Sequence, residues 1–458
     1  MSSKTVPTDL AAYAAQIEAL AQRDGLDYYP VDFELAPESL MTEIAVYGLP
    51  IRMPHWSFGV RYIHQLVRQS MGHSKIFEVM FPGDPCRAFL MDGNSLAENA
   101  LVTAHVLGHA DFSKHNQLFA RFHDMAGGNI VEHAAAHAHR IQQAIDAAGM
   151  ERVESVLDAA LSLESHVDVR GELHRARYPE FAPDRKSARE TAFSKRFKDL
   201  PGETRAAPLP LGPLRAPVPP HPEYDLLWFI AQYAPELEQW ERDIFLMVRS
   251  ESLYFYPVFA CQIMNEGWAS YWHARLLREA DFLPQPLYLA ALKAHSDVVR
   301  PFASGEQTAL AINPYHLGFT MWEAIVEKHG LARAREVMRE EDDFGFIRNW
   351  LDRGLAEKSG LFVFEAKPSD EIRVASRDLD AIREAILAPK FNYGAPRVAA
   401  IELKSDGSLT LKHDHASDGR GLDVGRARKV LEYVRRVWRR PVRLVTVNER
   451  TEAVELAA

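Results

Sequence analysis

His105 and His109 stand four residues apart in Ala104-His105-Val106-Leu107-Gly108-His109, an apolar stretch with helical periodicity. Four residues advance a helix by little more than one turn, so both imidazoles leave the same side and can share one metal ion. Spacing alone does not establish a site. The chain holds 19 histidines, and His133 and His137 form a second such pair; hydrogen-bonded core or surface histidines are the ordinary reading of either pair. Eight of the nineteen, however, fall between His73 and His139. Glu98 lies seven residues before His105 on the same helical side, where it can be a ligand, a ligand's partner or a proton acceptor. Further along, Met264-Asn265-Glu266-Gly267-Trp268-Ala269-Ser270-Tyr271-Trp272 sets one carboxylate in an apolar, aromatic helix. A buried lone carboxylate is costly without a cation or donors, so Glu266 needs a partner. His273 follows seven residues later on the same side.

The elements that must position these groups are mostly helical. Residues 8 to 24 read as an amphipathic helix behind Thr8-Asp9, and helical patterns run from Ser95 to about Asp168, punctuated by Gly127-Gly128 and Gly149. The segments YYPVDFELAPE and YGLPIRMPHWSFG, rich in Pro, Gly and aromatics, read as ordered loops. Residues 201 to 222 hold eight prolines, marking a linker or surface excursion. Helical signals resume at Leu226. Beyond about residue 360, RVAAIELKSDGSLTLKHDH alternates around Asp406-Gly407 as a hairpin, VRLVTV reads as a strand, and a helix between them is capped by Asp423, with Val430, Val434, Val437 and Trp438 on one face. The expected organisation is an N-terminal helical part over 1–169, a Pro-rich, charged linker over 170–222, a second helical part over 223–359 forming one body with the first, and an α+β C-terminal domain over 360–458.

Composition narrows the function classes. A chain of 458 residues with 47% hydrophobic side chains has material for a large core. A formal charge of −10 disfavours a general nucleic-acid coat, although seven arginines between Arg426 and Arg443 make the last helix basic, by default as a solvated face. Cys86 and Cys261 are too few and too far apart for a disulfide framework, and the chain has neither a membrane-spanning run nor a secretion signal at its start, so a cytoplasmic location is expected. No phosphate-binding glycine loop and no GxSxG element occurs, and no cofactor-binding residues beyond the metal ligands are expected.

Asn265-Glu266-Gly267-Trp268-Ala269 resembles the NEG-aromatic-A segment by which gluzincin metallopeptidases deliver their third zinc ligand from a separate helix. The resemblance implies a zincin-like helical body and a divalent-metal site of His105, His109 and Glu266 with water at an open position, zinc first and iron or manganese next. Gluzincins carry a glutamate after the first histidine as general base; here that position is Val106, which cannot accept a proton. Ordinary peptidase activity is therefore disfavoured, and 157 residues separate Glu266 from His109. Glu98, Asp111, His137 and Glu132 are candidate bases among which the residues do not choose.

A second resemblance covers nearly the whole chain. YYPVDFELAPE, MTEIAVYGLP, MPHWSFG, HVLGHADF, HAHRI, LSLES, FIAQYAPELEQWERDI, IMNEGWASYWHARLL and NPYHLGF follow one another as in the SpoVR (stage V sporulation protein R) family, which this chain resembles. Val258 departs from it, standing where the family carries glutamine. The resemblance implies a role in sporulation, cell-envelope or stress physiology and, as partners, a serine protein kinase and a von Willebrand-type protein. Two functions are expected on this basis: a metal-dependent hydrolase of unidentified substrate, or a non-catalytic scaffold or regulator of the kinase system.

Overall fold

The computed structural model describes residues 8–70, 76–125, 129–178, 217–301, 313–366 and 372–458. In chain order it begins α1 (Thr8–Arg23), β1 (Val31–Ala36), α2 (Glu38–Tyr47), α3 (Trp56–Ser70), β2 (Glu78–Phe81) and β3 (Cys86–Met91). Then come α4 (Leu96–His115), α5 (Gln117–Met125), α6 (Ile130–Ala148), α7 (Met150–Ser162) and α8 (Gly171–His174). After the Pro-rich stretch, most of which lies outside the described residues, follow α9 (Leu226–Tyr233), α10 (Gln239–Ala260), α11 (Gln262–Arg278), α12 (Gln285–Val298), α13 (Pro314–Glu340), α14 (Asp343–Trp350) and α15 (Arg353–Lys358). The chain ends with β4 (Val363–Ala366), β5 (Ile372–Ser376), α16 (Leu379–Leu387), β6 (Val398–Leu403), β7 (Leu409–His413), α17 (His415–Asp418), α18 (Val424–Trp438), β8 (Val442–Val447) and β9 (Ala453–Ala457). The architecture is mainly helical, with a small C-terminal sheet.

Two compact units divide the chain. The first comprises residues 1–142 and 253–393, the second residues 143–252 and 394–458. These limits differ from those read from sequence texture: residues 143–169 and 223–252 group with the C-terminal segment, and residues 360–393, with the β4–β5 hairpin, group with the helices before them.

The first unit is organised around α4, α11 and α13. Its core holds Trp268, Trp272, Trp322, Phe112 and Phe346, none exposed to solvent. Such rings bury the largest apolar area per residue. Beside this core lies a sheet in the order β1-β3-β2, with β1 parallel to β3 and β2 antiparallel to it. Its first strand corrects the loop reading of YYPVDFELAPE. Val31, Phe33 and Leu35 alternate as a strand requires, and Pro30 and Pro37 delimit the strand from outside, where no ladder donor is needed. Likewise YGLPIRMPHWSFG does not end as a loop, because α3 begins at Trp56, two residues after Pro54.

In the second unit β6-β7-β8-β9 form a sheet in that order, β6/β7 and β8/β9 antiparallel and β7/β8 parallel. Gly407 takes a positive φ of 86° at the expected hairpin. The Asp423 side chain caps α18 by accepting from the N–H groups of Gly425 and Arg426. The helix buries Leu431, Val434, Val437 and Trp438, so Leu431 rather than Val430 completes the apolar face. The basic run that extends past the helix is partly neutralised within the unit: Arg439 and Arg440 meet Glu241 and Glu236, and Arg443 meets Glu455.

Candidate metal centre

Helix α4 starts with a reciprocal cap in which Ser95 accepts from the Glu98 N–H and the Glu98 carboxylate accepts from the Ser95 N–H. From there the helix is buried almost continuously to Ser113. A helix apolar all round belongs at the centre of a bundle, and neighbours pack against it on several sides. The closest approach is to α11 at Gly108, where a Cβ would lie 2.7 Å from the Ala269 Cα. Gly267 and Gly318 allow an equally tight crossing of α11 and α13, since a methyl at either would strike the backbone of the other helix. The small residues of HVLGH, NEGWA and YHLGF thus bring three helices together and set His105 and His109 opposite Glu266.

The Glu266 Oε2 lies 3.5 Å from Nε2 of His105 and 3.5 Å from Nε2 of His109. Both histidines are buried. Oε2 is itself buried and accepts no hydrogen bond among the described residues. Burial raises the Glu266 carboxyl, but the two histidines and a hydrogen bond from Tyr315 outweigh it and hold the group below its ordinary value.

The outer nitrogens of the two histidines have partners of their own. His109 Nδ1 is 2.8 Å from Oδ1 of Asn265, an acceptor, so Nδ1 carries the proton and Nε2 presents its lone pair towards Glu266. His105 Nδ1 is 3.0 Å from Nδ1 of His273, whose Nε2 is 2.6 Å from Nδ1 of His295. Burial holds His273 well below its usual range and His295 down to about 4, so both rings are neutral at pH 7. The chain of contacts is satisfied when His105 Nδ1–H donates to His273 and His273 Nε2–H donates to His295, the tautomer of His105 that can ligate a metal through Nε2. In that tautomer the two Nε2 atoms and the Glu266 Oε2 are three donor atoms that one cation can share. Ligand atoms about 2.0–2.1 Å from a tetrahedral ion stand roughly 3.3–3.4 Å apart. The observed separations fit a divalent cation.

Sequence reasoning missed a fourth group, Glu78 at the start of β2. Its carboxylate and one nitrogen each of His105 and His109 lie within 4.8 Å of one another. Burial pushes the Glu78 carboxyl up to about 7, with His109 opposing the rise and Glu266 adding to it. The signal that singled out Glu266, one carboxylate among apolar residues, is also present in Ile76-Phe77-Glu78-Val79-Met80-Phe81. Tyr315 was missed as well. Asn313 caps α13 and Pro314 occupies its first turn, which brings the Tyr315 ring over His105 at 6.0 Å. A cavity of about 690 Å³, lined by Glu78, Glu98, His105, His273 and Tyr315 among others, opens beside the group.

The remaining candidates are placed as follows. Glu98 borders the cavity with its carboxylate in the cap of α4. Asp111 points elsewhere, accepting from the Asp27 backbone N–H and the Trp268 indole at 2.9 Å each and so tying α4 to α11. His137 and Glu132 sit on α6, where His137 is buried and its ring lies 6.4 Å from that of His133. His273, on the same helical side as Glu266, contacts His105 directly. Asp32 and Glu34 of β1 pair with Arg87. Cys86 and Cys261 are free and buried.

Residues 4–394 match the family model described as SpoVR like protein, and residues 397–449 match the SpoVR-like C-terminal domain. Over 479 residues the chain is 29% identical to the uncharacterized protein YcgB of Escherichia coli strain K12, covering 96% of this chain and 92% of that protein. No solved structure matches the chain. The chain belongs to the SpoVR family.

Proposed function

We propose that this SpoVR-family protein is a metal-dependent hydrolase whose ion is held by His105, His109 and Glu266. The observation that carries the reading is the convergence of the His105 and His109 Nε2 atoms on the buried Glu266 Oε2, each nitrogen 3.5 Å from that oxygen. Zinc suits two histidines and a carboxylate best, with iron or manganese as alternatives. A zincin-like ligand plan, two histidines from one helix and a glutamate from another, is part of this proposal. When bound, the ion would polarise a scissile carbonyl or phosphoryl group and acidify a water molecule.

The chain's own residues supply the rest. Glu78, whose carboxylate lies within 4.8 Å of one nitrogen each of His105 and His109, takes the role that Val106 cannot fill, accepting a proton from attacking water and returning it to the leaving group. Tyr315 donates a hydrogen bond to Glu266 and would help hold that carboxylate ionised as a ligand. Glu98, Asp111 and His137 rank behind Glu78, because Glu98 already caps α4 and Asp111 already holds Trp268. The cavity of about 690 Å³ would admit a peptide-sized or smaller substrate. A cytoplasmic location belongs to the same reading, supported by two unpaired, buried cysteines. Among the described residues no helix is long and apolar enough to cross a membrane.

The test is turnover by metal-loaded protein on panels of peptides, esters and phosphate esters, comparing wild type with Glu78→Gln. Catalysis predicts that Glu78→Gln retains the ion and loses at least about 100-fold in kcat. A metal-loaded wild type inert on all three panels, with Glu78→Gln indistinguishable from it in cells, would favour the regulator that works with a serine protein kinase and a von Willebrand-type partner.

A further inference from the structure

Helix α3 carries its apolar side outward. Trp56 is 52% exposed, Val60 60%, Ile63 65% and Leu66 43%. At 100° per residue these four fall within one arc of the helix, whereas Arg61 and His64 fall on another. Phe58, buried against Tyr47 with ring centroids 5.1 Å apart, anchors the helix. Helix α18 makes the comparison plain: it is equally amphipathic, and its apolar face is buried. A run of large apolar side chains held towards solvent marks a surface for a partner.

The charge around α3 indicates which partner. No aspartate or glutamate occurs from Ile44 to Phe77, a stretch of 34 residues that contains Arg52, Arg61, Arg68 and Lys75. With 63 acidic residues in 458, about five would be expected there. In a chain of net charge −10, the absence of acid from a segment that exposes a tryptophan and three aliphatic residues on one helix fits a negatively charged surface. A two-fold contact with a second copy would set this positive stretch against itself.

We propose that α3 docks the protein on an anionic lipid bilayer, lying flat in the interface. Trp56, Val60, Ile63 and Leu66 enter the boundary between headgroups and acyl chains. The fifteen residues of α3 span roughly 22 Å at 1.5 Å each, enough for a peripheral attachment and too short to cross. This proposal is independent of the metal site.

The experiment is sedimentation of the untagged 458-residue protein with vesicles of phosphatidylcholine alone and with about 30% phosphatidylglycerol, at low and high salt. Wild type should pellet with the anionic vesicles, less so at high salt, and not with phosphatidylcholine alone. The double variant Val60→Asp/Ile63→Asp should lose at least about tenfold in binding. Leu289→Asp, a change at a residue 57% exposed on α12, should bind as wild type, and circular dichroism should find all three proteins equally folded. Absence of binding to anionic vesicles, or equal binding by the double variant, would overturn the proposal. So would a wild-type dimer that the double variant converts to monomer without any vesicle binding, which would assign the face to a second copy.

Discussion

The Asn265 side-chain oxygen lies 2.8 Å from Nδ1 of His109, and Asn265 immediately precedes the glutamate that faces the other nitrogen of that ring. Two consecutive residues of α11 therefore act on one imidazole from opposite sides. Asn265 decides which nitrogen carries the proton, and Glu266 meets the one that does not. Asn265→Ala should leave the fold intact and weaken metal binding by about 10- to 100-fold, whereas Asn265→Asp, which keeps an acceptor, should retain most of it. Competition titration against a chromophoric chelator measures both.

His273 plays the matching part for His105. It is fully buried, so His273→Phe would leave the His105 Nδ1–H without an acceptor at a cost of about 1–3 kcal/mol. Thermal unfolding should report that loss, and metal affinity should fall by about 10- to 100-fold. His295→Ala removes only the outer end of the chain, at a half-buried position, and should have the smaller effect on both readouts.

Gly108 tests the packing that aligns the two ligand helices. A methyl there would lie 2.7 Å from the Ala269 Cα, so Gly108→Ala must push α4 and α11 apart. Overpacking of this kind costs about 1–3 kcal/mol. Urea denaturation should detect that loss together with weakened metal binding, although alanine favours helix over glycine. An exposed helical glycine with nothing near its Cβ, Gly59, is the control and should tolerate alanine without loss.

The raised Glu78 carboxyl gives a pH dependence of definite sign. Its value in the folded protein, about 7, lies above the ordinary 4.5 because burial disfavours the charged form. A group raised on folding contributes stability that is present below its unfolded value and lost as pH rises through its folded value. Metal-free wild type should therefore lose stability relative to Glu78→Gln between about pH 4.5 and 7. Denaturation midpoints of the two proteins across that range supply the comparison, and parallel curves would exclude the shift.

What the sequence made legible was local. The i,i+4 spacing exposed His105 and His109, the isolation of a carboxylate among aromatics exposed Glu266, and Asp406-Gly407 and Asp423 marked a hairpin and a cap that the structure bears out. Glu78, Tyr315 and His295 reach the site only through long-range packing. Glu78 arrives on a four-residue strand whose place is set by β3, itself paired with β1 some fifty residues earlier. Such registers depend on partners distant in the chain, and short strands flanked by proline resemble loops until the partner is known. The glycines were visible as punctuation, but that Gly108, Gly267 and Gly318 exist to let three helices touch is a property of the assembled core.

Whether His105, His109 and Glu266 hold an ion is decided by elemental analysis of tag-free protein. Wild type should carry about one equivalent of a divalent transition metal, His105→Ala and Glu266→Ala should lose it, and His133→Ala, which alters the other histidine pair, should retain it. Wild-type protein that carries no stoichiometric metal and takes up none of zinc, iron or manganese on reconstitution would contradict the metal assignment.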